Sequence, residues 1–289
     1  MSDATAGVTG EVTAEIAEAL RPLAETPVLL VALDFDGTLA PLIDEPMKAR
    51  ALPASKEAIA SLAALPDTIV AFVSGRMLAD LRIIGEHDDD SPIHLAGSHG
   101  AEFWHPAAAQ PERTSGPDED SARQTVLASS RAPLPGQDAT ADAVRAAAEA
   151  VVADIEGAWI EHKALGFALH TRTSTAEDAA RAAREIDALV AERAPGWRRR
   201  TGRDILEFST SHAGKDAAIT ALRETTGATA VFFAGDDVTD EDAIASLADQ
   251  DLGVRVGPGE TSARVRVADA QDLAGVLSAL ARIRATARQ

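Results

Sequence analysis

Six consecutive apolar residues, Val28 to Leu33, stop abruptly at Asp34-Phe35-Asp36-Gly37-Thr38. A run that short cannot make a helix core and suits a strand buried on both faces, as in a parallel sheet. Thr68 to Val73, ending at Ser74-Gly75-Arg76, and Ala230 to Ala234, ending at Gly235-Asp236-Asp237, have the same texture. Helical spacing fills the intervals. Val12, Ile16, Leu20 and Leu23 predict a leading helix over 11–24 stopped before Pro27, and Ala58, Ile59, Leu62 and Leu65 predict one over 54–65 stopped by Pro66. A helix over 77–85 and a strand over 93–96 repeat the strand-helix-strand unit, as do helices over 215–226, 240–247 and 271–284 around a strand at 252–256.

The pattern breaks at 106–141, where prolines, Ser, Thr, Asp and Ala show no sustained apolar period and a loop or linker is expected. A helix over 143–155 follows, then alternating segments at 159–172 around Gly166, a helix over 176–194, and a hairpin at 197–208 around Gly202-Arg203. Helix, hairpin, helix, hairpin describes a small α+β unit set into a parallel-sheet domain. The expected division is a helical extension over 1–26, core over 27–105 and 210–289, and cap over 106–209.

Composition sharpens this. Among 289 residues 46% are hydrophobic but only 3% aromatic, so the core must be built from Ala, Val, Leu and Ile. The balance of 46 acidic against 27 basic residues gives a net charge of -19, which argues against nucleic-acid or anionic-membrane surfaces. There is no Cys, which excludes disulfides and thiolate metal sites and fits a reducing compartment. The N-terminus lacks the basic start and apolar stretch of a signal peptide, so a soluble cytoplasmic protein is expected, and it is expected to be a monomer.

Acids at the end of a buried strand need a reason, and in open parallel sheets ligands bind at the carboxyl ends of strands. Asp34 and Asp36 could be turn residues and a helix cap. Ser74 and Gly75 could cap a helix, Lys215 could be a solvated surface residue, and Gly235 to Asp242 an exposed acidic turn. Taken in order, however, Asp34-Phe35-Asp36-Gly37-Thr38, Ser74-Gly75-Arg76, Lys215 and Gly235-Asp236-Asp237 resemble the signature of the haloacid dehalogenase superfamily of phosphatases. That implies a Rossmann-like α/β core with the α+β cap inserted.

Phosphoryl transfer is mostly a charge problem, because an anionic nucleophile must approach an anionic group. A hard cation removes the conflict, and Mg²⁺ takes oxygen ligands from carboxylates together with water and phosphate oxygens. Asp34 is assigned as nucleophile and Asp36 as acid and base, with Asp34, Asp36 (through its carbonyl) and Asp236 on Mg²⁺ and Asp237 and Asp240 in its outer shell. Thr38, Ser74, Gly75, Arg76 and Lys215 are expected around the phosphoryl group. Lys215 opens a helix, where the dipole disfavours a cation, so it should face something more negative.

The segments DFDGTLAPL, VSGR, GSHGAE, EFSTSHAGKD, GDDVTDEDA and IEHKALGFALHTR are similar to the trehalose-6-phosphate phosphatase family from about Pro27 to Leu280. The resemblance implies that the cap supplies the sugar contacts, with Glu161, Lys163 and Glu207 on hydroxyls of the distal glucose and His170 and Arg172 nearby. On charge pattern alone these residues suit an exposed hairpin face. Two positions depart from the family: Thr171 stands where Tyr is usual, and the 106–141 linker is long. The expected substrate is trehalose 6-phosphate, with another sugar phosphate (sucrose phosphate or a glycosyl-glycerate phosphate) as the nearest rival and a catalytically silent sugar-phosphate sensor as the other.

Overall fold

The computed structural model describes residues 12–107, 137–163, 166–202, 204–210 and 214–289. Most of the linker expected over 106–141 lies outside the described residues, as do Arg203, His212 and the start of the leading helix.

The first apolar run forms strand β1 (Leu29–Leu33), preceded by helix α1 (Ala14–Glu25). There follow α2 (Pro53–Ala63), β2 (Thr68–Val73), α3 (Leu78–Ile84), β3 (His94–Gly97) and β4 (Glu102–Trp104). After the cap the core resumes with α6 (Lys215–Thr226), β9 (Ala230–Gly235), α7 (Val238–Ala245), β10 (Leu252–Val256), β11 (Val265–Val267) and α8 (Ala270–Ala287). These strands make one seven-stranded sheet, ordered β11-β10-β9-β1-β2-β3-β4, parallel except for the β3/β4 pair.

β1 is central, and every residue in it is buried because the sheet is covered on both faces. Leu29, Val31 and Leu33 pack into the layer with α1, α2 and α8, while Leu30 and Ala32 pack into the layer with α6 and α7. Register then decides where the polar ends fall. Leu33 pairs with Phe72 on β2 and Ala234 on β9, so Asp34, Ser74 and Asp236 emerge together at one edge of the sheet.

The cap consists of α4 (Gln137–Val152), β5 (Trp159–Lys163), β6 (Gly166–His170), α5 (Ala176–Arg193), β7 (Arg198–Gly202) and β8 (Ile205–Ser209). Its four strands form a separate antiparallel sheet ordered β5-β6-β8-β7. Phe167, Leu169, Leu206 and Phe208 turn to one side and pack with Val144, Ala148, Ile186 and Val190 of the two helices. Because side chains alternate along strands, Glu161, Lys163, Ala168, Glu207 and Arg200 share the opposite side.

The structure corrects the sequence-derived boundaries in three places. α4 starts at Gln137, so the last residues of the expected linker are helical. α7 opens at Val238, before the expected Asp240, because Asp237 caps it in a reciprocal box with Asp240. The edge strands β4 and β11 were not anticipated, since three residues carry too little alternation to show.

Candidate active site

The site lies at the carboxyl ends of β1, β2 and β9. Asp34 is buried, with its backbone N–H on the Ala234 carbonyl at 3.0 Å. The Thr38 hydroxyl lies 3.1 Å from Asp34 Oδ2 and 3.3 Å from Asp236 Oδ1, so one side chain spans both acids. Gly37 adopts φ 79°, and a Cβ there would stand 2.0 Å from Asp236 Oδ2. Only glycine lets the loop after β1 approach the acid on β9 so closely.

Lys215 is buried and donates to Asp34 Oδ1 at 2.5 Å and to Asp240 Oδ1 at 2.6 Å. This is the negative surrounding that its place at a helix start implied. Burial pulls the ammonium's pKa down, but Asp240 and Asp34 outweigh it and raise the pKa above its ordinary value. The other oxygen of Asp240 accepts the backbone N–H groups of Asp236 at 3.1 Å and Asp237 at 2.9 Å. It therefore orients the β9 loop.

Three carboxylates, from Asp34, Asp236 and Asp240, bring ligand atoms within 4.8 Å of one another and face a single ammonium. Burial pushes the Asp34 carboxyl well above the usual range; Lys215 lowers it, while Asp240 and Asp236 raise it further. Burial, and then Asp240, push Asp236 up to about 6. An all-oxygen donor set with uncompensated negative charge fits a hard divalent cation such as Mg²⁺.

Asp36 turns elsewhere. Its carboxylate accepts Arg76 Nε and Nη2, each at 2.6 Å, and Arg76 Nη2 also donates to the Pro46 carbonyl at 3.0 Å. Arg76, expected around the phosphoryl group, is thus committed to Asp36, because a guanidinium fork matches a carboxylate with two parallel bonds. Ser74 Oγ accepts the Arg76 backbone N–H at 3.2 Å, and α3 opens only at Leu78, behind Met77. Ser74 and Gly75 therefore belong to the turn between β2 and α3 and do not form the helix start itself.

The cap's polar face supplies a second cluster. Glu161 accepts Lys163 Nζ and His170 Nε2, each at 2.7 Å, and these bonds, with the Lys163 charge, hold its carboxyl below the ordinary range against the opposing pull of burial. Glu161 on β5 is level with Ala168, Glu207 and Arg200 on successive strands. Glu207 accepts His99 Nε2 from the core at 2.9 Å. Of the five residues expected at the sugar, Glu161, Lys163, His170 and Glu207 lie on the one face. Arg172 lies apart, in an exposed ion pair with Asp44 from the loop after Asp36.

Sequence reasoning assigned no role to His99, although it stands in the quoted GSHGAE segment. It also passed over Arg200, whose alternation with Arg198 on β7 was the available signal.

The chain is similar to several known proteins. The family model described as trehalose-phosphatase matches residues 32–273. A Mycobacterium tuberculosis protein named as an uncharacterized glycosyl hydrolase is 33% identical over 243 residues, covering 80% of this chain and 16% of that protein. The trehalose-phosphate phosphatase of Mycobacterium leprae is 32% identical over 266 residues, covering 83% of this chain and 53% of its own length. The chain thus spans about half or less of these relatives. The C-terminal domain of Candida albicans trehalose-6-phosphate phosphatase superposes with a TM-score of 0.71 at 19% identity, covering 92% of this chain and 96% of that one, a likeness of fold. With a family model matched over most of its length, the chain belongs to the trehalose-phosphatase family.

Proposed function

We propose that this chain hydrolyses trehalose 6-phosphate to trehalose and phosphate, with Mg²⁺ as cofactor and an aspartyl-phosphate intermediate. The observation that carries the proposal is Asp34, fixed between Lys215 and Thr38 at the end of the central strand, in a member of the trehalose-phosphatase family. The cap over 106–209 covers the core formed by 27–105 and 210–289, and its polar sheet face reads the sugar.

Mg²⁺, held by the carboxylates of Asp34 and Asp236 and the carbonyl of Asp36, would neutralise charge on the phosphoryl oxygens. Asp34 attacks phosphorus as the ester bond to the sugar oxygen breaks. Asp36 gives the leaving oxygen a proton, then takes one from the water that cleaves the acyl phosphate. Without substrate its carboxylate accepts both bonds of the Arg76 fork, so acting as the acid requires that it leave the fork carrying a proton taken from solvent. Lys215 balances charge on Asp34 and on the transferring group, while Thr38, Ser74 and Gly75 line the phosphoryl pocket. Glu161, Lys163, His170 and Glu207 contact glucose hydroxyls, with Arg172 at the margin. Asp237 and Asp240 hold the β9 loop. Among the described residues no helix is long and apolar enough to cross a membrane, and the location and oligomeric state proposed with this function are the cytoplasm and a monomer.

Phosphate release across trehalose 6-phosphate, sucrose phosphate, a glycosyl-glycerate phosphate and simple hexose phosphates, with and without chelator, tests the proposal. Trehalose 6-phosphate should give the highest kcat/KM, and chelation should abolish it. Preference for another sugar phosphate would move the substrate assignment, and no release from any would leave a sugar-phosphate sensor.

A further inference from the structure

Ser98, His99 and Gly100 all have positive φ, at 48°, 56° and 90°. Two successive non-glycine residues in the left-handed region are strained, and such strain persists only where the surroundings impose it. Here they do. Ser98 N–H donates to the Arg76 carbonyl at 2.6 Å, His99 N–H to the Ser74 carbonyl at 3.0 Å, and Ser98 Oγ to Glu102 at 2.6 Å. Glu102 also accepts the Leu78 N–H that opens α3, at 3.1 Å. Gly100 packs on Ala218 of α6, where a Cβ would come within 2.7 Å.

This turn delivers one side chain. The His99 ring lies over Gly75, where a Cβ would meet Nε2 at 2.6 Å, and its Nε2 reaches Glu207 of the cap. His99 Nδ1 is buried with no hydrogen-bond partner among the described residues, so the neutral ring carries its proton on Nε2 and donates it to Glu207. That bond occupies Oε2 and leaves Oε1 outside it.

We infer that His99 is a positioning residue that holds the Glu207 carboxylate in its sugar-reading orientation from the core side, tying recognition of the distal ring to the turn beside the phosphoryl pocket. The inference rests on the reading of Glu207 as a sugar contact. It gives the strained turn a purpose and makes Gly75 the seat of the ring.

The test compares His99→Ala, His99→Gln and His99→Asn with Glu207→Ala, using trehalose 6-phosphate and a small aryl phosphate as substrates. A glutamine amide nitrogen can reach the position of Nε2, whereas that of asparagine stops near Nδ1. His99→Ala and His99→Asn should raise KM for trehalose 6-phosphate by about ten- to a hundredfold, the worth of one hydrogen bond to a charged group, while kcat falls far less. His99→Gln should recover most of the loss, and His99→Ala placed on Glu207→Ala should cost no more than about threefold further. The Gln and Asn variants keep the comparison informative if the alanine variant fails to fold. Equal rescue by Gln and Asn, equal losses on both substrates, or full additivity with Glu207→Ala would overturn the inference. A selective loss in Glu207→Ala without one in His99→Ala would overturn it alone; no selective loss in Glu207→Ala would overturn the sugar reading of Glu207 and this inference together.

Discussion

Protons and Mg²⁺ should compete for the same carboxylates, and the structure sets the scale. Burial and the Asp240 charge bring the Asp236 carboxyl to about 6. Such a group is roughly nine-tenths ionised near pH 7 and one-tenth ionised near pH 5, so a cation that needs the carboxylate loses at least about tenfold in apparent affinity between them, and more as Asp34, which burial also raises, takes up its own proton. Tenfold is ~1.4 kcal/mol of binding free energy, and at saturating Mg²⁺ that much stabilisation disappears on acidification. For the metal-free protein the sign is opposite. A carboxyl whose folded pKa lies above its ordinary 3.8 leaves the native state holding an extra proton, so stability is complete below about pH 4 and falls as pH rises through about 6. The assay is a Mg²⁺ titration followed by thermal unfolding or calorimetry at both pH values, which requires no turnover. The stabilising shift should be larger near pH 7, by on the order of 3 °C. Equal affinity at both pH values, or undiminished binding by Asp236→Asn, would refute the assignment of Asp236 to the metal.

Asp34→Asn deletes the nucleophile without changing shape, so turnover should vanish while the unfolding midpoint stays close to that of the parent; retained phosphate release would sink the mechanism. Asp36→Ala should still capture the phosphoryl group but release it slowly, so acid-quenched protein should gain the mass of one phosphoryl group, and full activity would remove Asp36 from the reaction. Arg284 is buried at the opposite end of the strands, where it donates to the carbonyls of Leu23, Ala24, Thr26 and Asp67 and to the Thr68 hydroxyl. Arg284→Met strands those acceptors and should cost about 3 kcal/mol or more in urea unfolding with kcat preserved; an unchanged midpoint would contradict it.

What the sequence revealed follows from which forces are local. β1, β2 and β9 are buried on both faces, so each is a continuous apolar run, and parallel register puts their polar ends side by side without further information. Lys215 was readable because a cation at a helix start contradicts the dipole unless carboxylates face it, and Asp34 and Asp240 do. Glu161, Lys163 and Glu207 were legible only through the family resemblance, since their charge pattern alone suits an exposed hairpin face. Arg76 with Asp36, 40 residues apart, and His99 with Glu207, 108 apart, join loops or separate parts of the molecule, and no periodicity encodes them. β4 and β11, at the sheet edges, are too short to alternate.

Glycine shows the difference most directly. Gly37 and Gly75 both follow strand ends, and the sequence reading places Gly75 around the phosphoryl group and Gly37 within the first acidic motif. In the folded chain each is small because another residue needs the space: Asp236 beside Gly37, and His99 over Gly75. Both spaces are filled by side chains that arrive more than twenty residues later in the chain. A Cβ at Gly37 would push Asp236 off the shared Thr38 hydroxyl and open the carboxylate centre. A Cβ at Gly75 would push His99 toward the cap and displace Glu207. Enlarging the first therefore acts on the reaction centre, and enlarging the second acts on how the cap meets the core.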